Sequence, residues 1–152
     1  MPVDPAVVGR VLPPISMDIE RGRLVQFARA TGATDPVYTD LDAAKNAGHR
    51  DLPVPPTFLF AIELEQPDPF WWAREIGIDF NYVLHGAQQF TYHRLAYAGE
   101  RLTAGARITD VFSKKGGALE FVVKQTAIAD EAGGPVADLT QTIVVRNPEV
   151  GS

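Results

Sequence analysis

From Val83 onward apolar and polar side chains alternate, and the alternation persists through four consecutive segments. Period two is the signature of an extended strand, because successive side chains leave opposite faces of the backbone. The pattern predicts strands over residues 86–95, 101–112, 118–129 and 136–146. Between them stand Ala98-Gly99-Glu100, Lys114-Lys115-Gly116-Gly117 and the stretch from Asp130 to Gly134. Short glycine-containing connections signal hairpins, so the strands pair antiparallel. In the last strand Val136, Asp138, Thr140, Thr142 and Val144 alternate with Ala137, Leu139, Gln141, Ile143 and Val145. The second set is the better core face, and a sheet with one apolar face needs something to cover it.

The first half of the chain supplies the cover. Residues 20–30 read as a helix with Leu24, Phe27 and Ala28 on one face, and Gly32 is placed to end it in a left-handed conformation. Asp40 is placed to cap a second short helix over residues 41–47, stopped by Gly48. Leu52-Pro-Val-Pro-Pro-Thr57 is a stiff, extended entry. The segment 57–65 that follows, TFLFAIELE, is apolar nearly all round at its start, as a buried helix is, and Pro67 and Pro69 end it. The expected architecture is α+β: one long central helix wrapped by an antiparallel sheet, in a single domain over 1–152. A chain of 152 residues, 45% of them apolar, buries one core and has little room left for a large pocket, so a second subunit would help enclose a substrate.

Charge and composition narrow the partners. The net charge is −5 and the basic residues are scattered, which leaves no footprint for nucleic acid and argues against a membrane surface. With no cysteine there is no thiol chemistry, disulfide or thiolate-held zinc. No apolar run approaches the roughly 18 residues of a membrane span, and the first residues lack the pattern of a secretion signal, so a cytoplasmic protein is the expectation.

Three stretches in order, ATGATDPVYTD (30–40), LPVPPTF (52–58) and LHGAQQFTYHRLAYAGERL (84–102), resemble the MaoC-like hydratase/dehydratase family over residues 10–147. The likeness is greatest to the N-terminal hot-dog half of double-domain enoyl-CoA hydratases and FAS1-type dehydratases. Partner subunits of heteromeric (R)-3-hydroxyacyl dehydratases, themselves without catalytic groups, are similar too. The resemblance implies a hot-dog fold, pairing of two such domains, and an acyl thioester held near their interface. Catalytic members carry a loop Gly-Asp-x-Asn-Pro-x-His, whose Asp and His move the C2 proton and the proton of the water at C3; two titratable groups within reach of both atoms do that work. Here the loop is Gly32-Ala33-Thr34-Asp35-Pro36-Val37-Tyr38. Gly32 and Pro36 match the motif, but Ala33 stands for the Asp and Tyr38 for the His, while Asp35 occupies the Asn position. Alanine moves no proton, and a phenol of ordinary pKa about 10 is a hydrogen-bond donor at neutral pH.

The other candidates follow from the same chemistry. His85, beside Gly86 in the LHG stretch, is a candidate thioester contact or substitute catalyst, against a strand-end imidazole bonded locally. Thr57, Phe58 and Phe60 open the central helix where the resemblance brings a thioester, and helix N-terminal amides can stabilise a developing enolate. Phe70-Trp71-Trp72 is an aromatic cluster suited to covering an acyl channel or an interface. Candidate substrate contacts are therefore Tyr38, Thr57, Phe58, Phe60, Trp71, His85 and Gly86. His49 and His93 read as structural or exposed. Arg94 and Arg101 read as solvated strand-end charges before phosphate contacts, and Glu63 and Glu65 as the solvent end of a helix. No metal or cofactor is expected.

Three functions fit. The first is an acyl-thioester-binding subunit of an (R)-specific enoyl-CoA hydratase or 3-hydroxyacyl-thioester dehydratase, paired with a catalytic MaoC-like subunit in a heterodimer or heterotetramer. The second is a homodimeric hydratase or thioesterase using His85, Asp35 and Tyr38. The third is a non-enzymatic acyl-CoA-binding module. Neither the acyl group nor its carrier is legible.

Overall fold

Five antiparallel strands form one sheet in the order β1-β3-β4-β5-β2 in the structure, a computed structural model that describes residues 2–150. Met1, Gly151 and Ser152, at the ends of the expected domain, lie outside the described residues. In chain order the elements are β1 (Ile15–Asp18), α1 (Arg21–Ala30), α2 (Leu41–Asn46), α3 (Trp71–Glu75), β2 (Val83–Tyr92), β3 (Arg101–Lys114), β4 (Leu119–Ala129) and β5 (Pro135–Arg146). Short 3-10 helices at Pro36–Tyr38 and Phe58–Leu64 punctuate the first half.

The four alternating segments are strands, and β3, β4 and β5 are hairpin neighbours as their glycine turns require. Along β5 the inward set Ala137, Leu139, Gln141, Ile143 and Val145 is buried. Asp130 closes the β4–β5 turn by accepting from the N–H groups of Ala132 (3.0 Å) and Gly134 (2.8 Å). Helix α1 buries Leu24 and Ala28 fully, and Gly32 takes φ 73° just past its end. Asp40 caps α2 through the N–H groups of Asp42 and Ala43. Two apolar clusters hold the layers together. One joins Leu24, Phe58 and Ile62 to Leu102 and Leu139; the other joins Trp72 and Ile76 to Ile108, Val122 and Ile143. Each fully buried Leu or Ile contributes roughly 1.5–3 kcal/mol.

Two expectations are corrected. The covering element is not a long helix but a seven-residue 3-10 helix, Phe58–Leu64. Its start is set by Pro55-Pro56 and by Thr57, which sits at φ 72° and so cannot be a helical residue. Its end is set by Pro67 and Pro69. At a rise of about 2.0 Å per residue it spans roughly 14 Å, too short to cross the whole sheet. The second correction is β1. Ile15–Asp18 pairs with Arg101–Ala104 of β3, and four residues are too few for alternation to be recognised beforehand.

Candidate active site

The loop after α1 keeps a defined shape. Ala33 N–H donates to the Ala28 carbonyl at 2.9 Å, closing the helix end. Asp35 is exposed, and its carboxylate accepts from the Val37 N–H at 3.1 Å, capping the turn Pro36–Tyr38. That side chain is therefore spent on local structure, as an Asp before Pro commonly is. Tyr38 is half-buried. Ala33 is likewise half-buried. No side chain from 32 to 38 is an imidazole, and the one carboxylate is a cap.

A cavity of about 290 Å³ opens between the short 3-10 helix, α3 and the sheet. It occupies sheet surface that the short helix leaves uncovered. Phe60, Glu63 and Leu64 line it from the helix, Phe70, Trp72 and Ala73 from the α3 region, and Val83, His85, Lys124, Gln141 and Ile143 from the sheet. Its volume is close to the lower end of small-molecule sites. His85 projects from β2 at a bulge: its register partner is Ile143, and pairing resumes one residue late, at Ala87. Gly86 is the extra residue. A Cβ there would stand 2.6 Å from Val144 Cγ2, so only glycine fits without displacement. The His85 ring lies 5.6 Å from the Phe60 ring, and its Nε2 is 3.1 Å from Gln88 Oε1.

The expected contacts divide between this cavity and other places. Phe60 and His85 line it; Gly86 shapes the strand beside it. Phe58 does not: it is 3% exposed and meets Phe27 edge-to-face at 5.3 Å, a core side chain. Trp71 borders a separate cleft of about 20 Å³, and it is Trp72 that reaches the large cavity. Asp35 and Tyr38 are not among the cavity's walls. Thr57 N–H donates to the Tyr92 hydroxyl at 3.0 Å and Phe58 N–H to the Pro55 carbonyl at 3.2 Å, so these two amides at the helix start are engaged within the chain.

The residues that sequence reasoning missed are polar. Glu63, expected at a solvent end, is 5% exposed. Its Oε1 lies 3.0 Å from Lys124 Nζ and accepts from the Thr126 hydroxyl. The Lys124 ammonium also sits 4.8 Å over the Trp72 ring. One signal was available: Lys124 has the same parity as Val122, Thr126 and Ile128 in β4, which places a charge on the inward face.

Several other charged side chains pair within the chain. Arg94 Nη2 reaches Glu100 at 2.7 Å and Asp130 at 3.0 Å, and Arg50 adds a contact to Glu100 at 2.9 Å. Burial pushes the Glu100 carboxyl up, but the Arg94 hydrogen bond, the Tyr97 N–H and the two guanidinium charges outweigh it and hold it below the usual range. Asp130 is lowered by the Arg94 hydrogen bond and then by the Gly134 N–H. Arg101 pairs with Asp18 at 2.7 Å, His93 with Asp138 at 2.7 Å, and His49 Nδ1 meets the Tyr97 hydroxyl at 3.0 Å. Among the described residues no helix is long and apolar enough to cross a membrane.

Comparison with known proteins agrees with this fold. Residues 6–139 match the family described as FAS1-like, dehydratase domain region. A UPF0336 protein of Leifsonia xyli subsp. xyli is 40% identical over 150 residues, covering 98% of this chain and 99% of its own. Among solved structures, the C-terminally truncated HadBC (3R-hydroxyacyl-ACP dehydratase) complex of Mycobacterium tuberculosis superposes with TM-score 0.74 at 22% identity, covering 94% of this chain and 99% of the other. A MaoC-like dehydratase superposes with TM-score 0.82 at 21% identity, over 95% of this chain and 43% of the other. Fold and sequence kinship converge: the chain belongs to the family described as FAS1-like, dehydratase domain region, and it shares its hot-dog fold with the HadBC and MaoC-like dehydratase structures.

Proposed function

We propose that this chain is the acyl-thioester-binding subunit of an (R)-specific enoyl-thioester hydratase or 3-hydroxyacyl-thioester dehydratase, and that a MaoC-like partner supplies the Asp and His. The observation that carries the reading is the loop 32–38, folded as a supported turn but holding Ala33 and Tyr38 in place of both proton-transfer groups and a carboxylate, Asp35, committed to a cap. The chain also holds a mostly apolar cavity with Phe60, Trp72 and His85 in its walls. Edge strand β2 is largely exposed, with Leu84 67% and Tyr92 49% accessible, which suits pairing with a second hot-dog sheet. The two-subunit HadBC complex, whose structure this chain resembles, lends the partner reading support. No cofactor beyond the thioester is required by this division of labour.

The test is hydration of trans-2-enoyl thioesters by the chain alone, and by the chain with a MaoC-like subunit bearing Gly-Asp-x-Asn-Pro-x-His. Turnover only in the mixture is expected. Turnover by the chain alone that collapses in His85→Ala or Tyr38→Phe would replace this reading with the self-sufficient homodimer, which the position of His85 in the cavity wall favours among the alternatives.

A further inference from the structure

The cavity is apolar along most of its wall and strongly polar at one place. Glu63, Lys124 and Gln141 all border it, and each is more than nine-tenths buried, at 5%, 5% and 7% exposure. Lys124 Nζ holds Glu63 Oε1 at 3.0 Å, with Thr126 donating to the same oxygen. The second carboxylate oxygen, Glu63 Oε2, has no hydrogen-bond partner, and neither has Gln141 Oε1. Buried polar atoms are normally paired, so two unpaired acceptors on one apolar cavity point to what fills it. The cleft of about 20 Å³ has room for about one water and also touches Glu63 and Lys124, but Gln141 is not part of its lining. Of the two, only the large cavity borders Gln141.

An unsubstituted alkyl end would leave these groups unpaired. A carboxylate end would bring a second negative charge against Glu63. A hydroxyl suits them: its oxygen accepts from the Lys124 ammonium, whose one oxygen partner among the described residues is Glu63, and its hydrogen can be donated to Glu63 Oε2 or Gln141 Oε1 after a small turn of either side chain, since both oxygens are shut off from the cavity as the side chains stand. We propose that the cavity takes an acyl group bearing a hydroxyl remote from the thioester, and that Glu63, Lys124 and Gln141 select it. This rests on the reading of the chain as an acyl-thioester-binding subunit. It concerns a group beyond the reacting carbons, since none of the three residues belongs to the loop 32–38.

Isothermal titration calorimetry of the full chain tests it, with saturated acyl-pantetheine thioesters from octanoyl to hexadecanoyl. Pantetheine is the portion shared by CoA and acyl carrier protein, so the choice of carrier does not enter. Each length is offered methyl-ended, ω-hydroxylated and ω-carboxylated. At the length that sets the terminal group beside the pair, the ω-hydroxy thioester is expected to bind at least about tenfold more tightly than the methyl-ended one; a site built for a hydroxyl discriminates strongly against its absence. The ratio should flatten towards one in Gln141→Leu, and again in the double variant Glu63→Leu/Lys124→Met, which removes both charges together. Methyl-ended thioesters that bind with no hydroxyl preference at any length would overturn the proposal. So would a preference for the ω-carboxyl series, or a hydroxyl preference that survives in both variants. If no thioester of any series binds, the acyl-binding reading itself fails and this inference falls with it.

Discussion

Lys124→Met is the substitution with the largest consequence that can be worked from the structure. Lys124 and Glu63 face each other at 3.0 Å with their side chains 6% and 5% exposed. Methionine matches the length of the lysine stem but removes the ammonium, leaving Glu63 with the Thr126 hydroxyl as its remaining donor. Breaking one side of a buried ion pair costs about 3–5 kcal/mol, because the other charge stays desolvated. For a chain of this size each kcal/mol moves Tm by about 2–4 °C, so Lys124→Met should lower Tm by at least about 6 °C. Glu63→Leu should cost a comparable amount, softened by the Trp72 ring that lies 4.8 Å from the stranded ammonium. The double variant removes both desolvation penalties and should lie within about 1.5 kcal/mol of the parent. Urea unfolding at pH 7 and fixed protein concentration, followed by near-UV circular dichroism, measures all three. Single variants costing less than about 1 kcal/mol would mean that water reaches the pair. A double variant as destabilised as the two singles combined would mean there is no coupling between the two charges, and either result refutes the argument.

Three further outcomes are expected. Gly86→Ala should destabilise by about 1–3 kcal/mol, since its Cβ meets Val144 Cγ2 at 2.6 Å, and Val144→Ala should restore most of the loss in the urea midpoint. Thr57→Gly should raise stability by up to about 1 kcal/mol, because a β-branched residue at φ 72° carries a steric cost that glycine lacks; a lower urea midpoint would contradict this. The depressed carboxyls of Glu100 and Asp130 contribute stability that is present above their unfolded values near pH 4 and lost as pH falls through their folded values. Arg94→Leu should therefore lower the urea midpoint fully at pH 7 and progressively less below about pH 4, whereas a deficit independent of pH would show that Arg94 acts by packing alone.

Much of the molecule was determined locally. The period-two segments became β2 to β5 because alternation, once one face is buried, admits no other backbone. Helix α1 followed from Leu24, Phe27 and Ala28 recurring at helical spacing, and its stop followed from Gly32. That the loop 32–38 carries Ala33 and Tyr38 was equally plain, since no packing turns an alanine into an acid. What the tertiary structure alone decided involves distant or competing contacts. Ile15–Asp18 is a strand because β3 offers it an edge. The apolar run 57–65 is a short 3-10 helix because Thr57 is held left-handed by the Tyr92 hydroxyl and the prolines leave no room to extend. That shortness leaves sheet uncovered and so makes the cavity. Glu63 reads as a solvent residue until Lys124, sixty-one positions further along the chain, is folded against it. Hydropathy reports whether a side chain prefers water, but a buried charge prefers its partner, and only the fold brings the partner within reach.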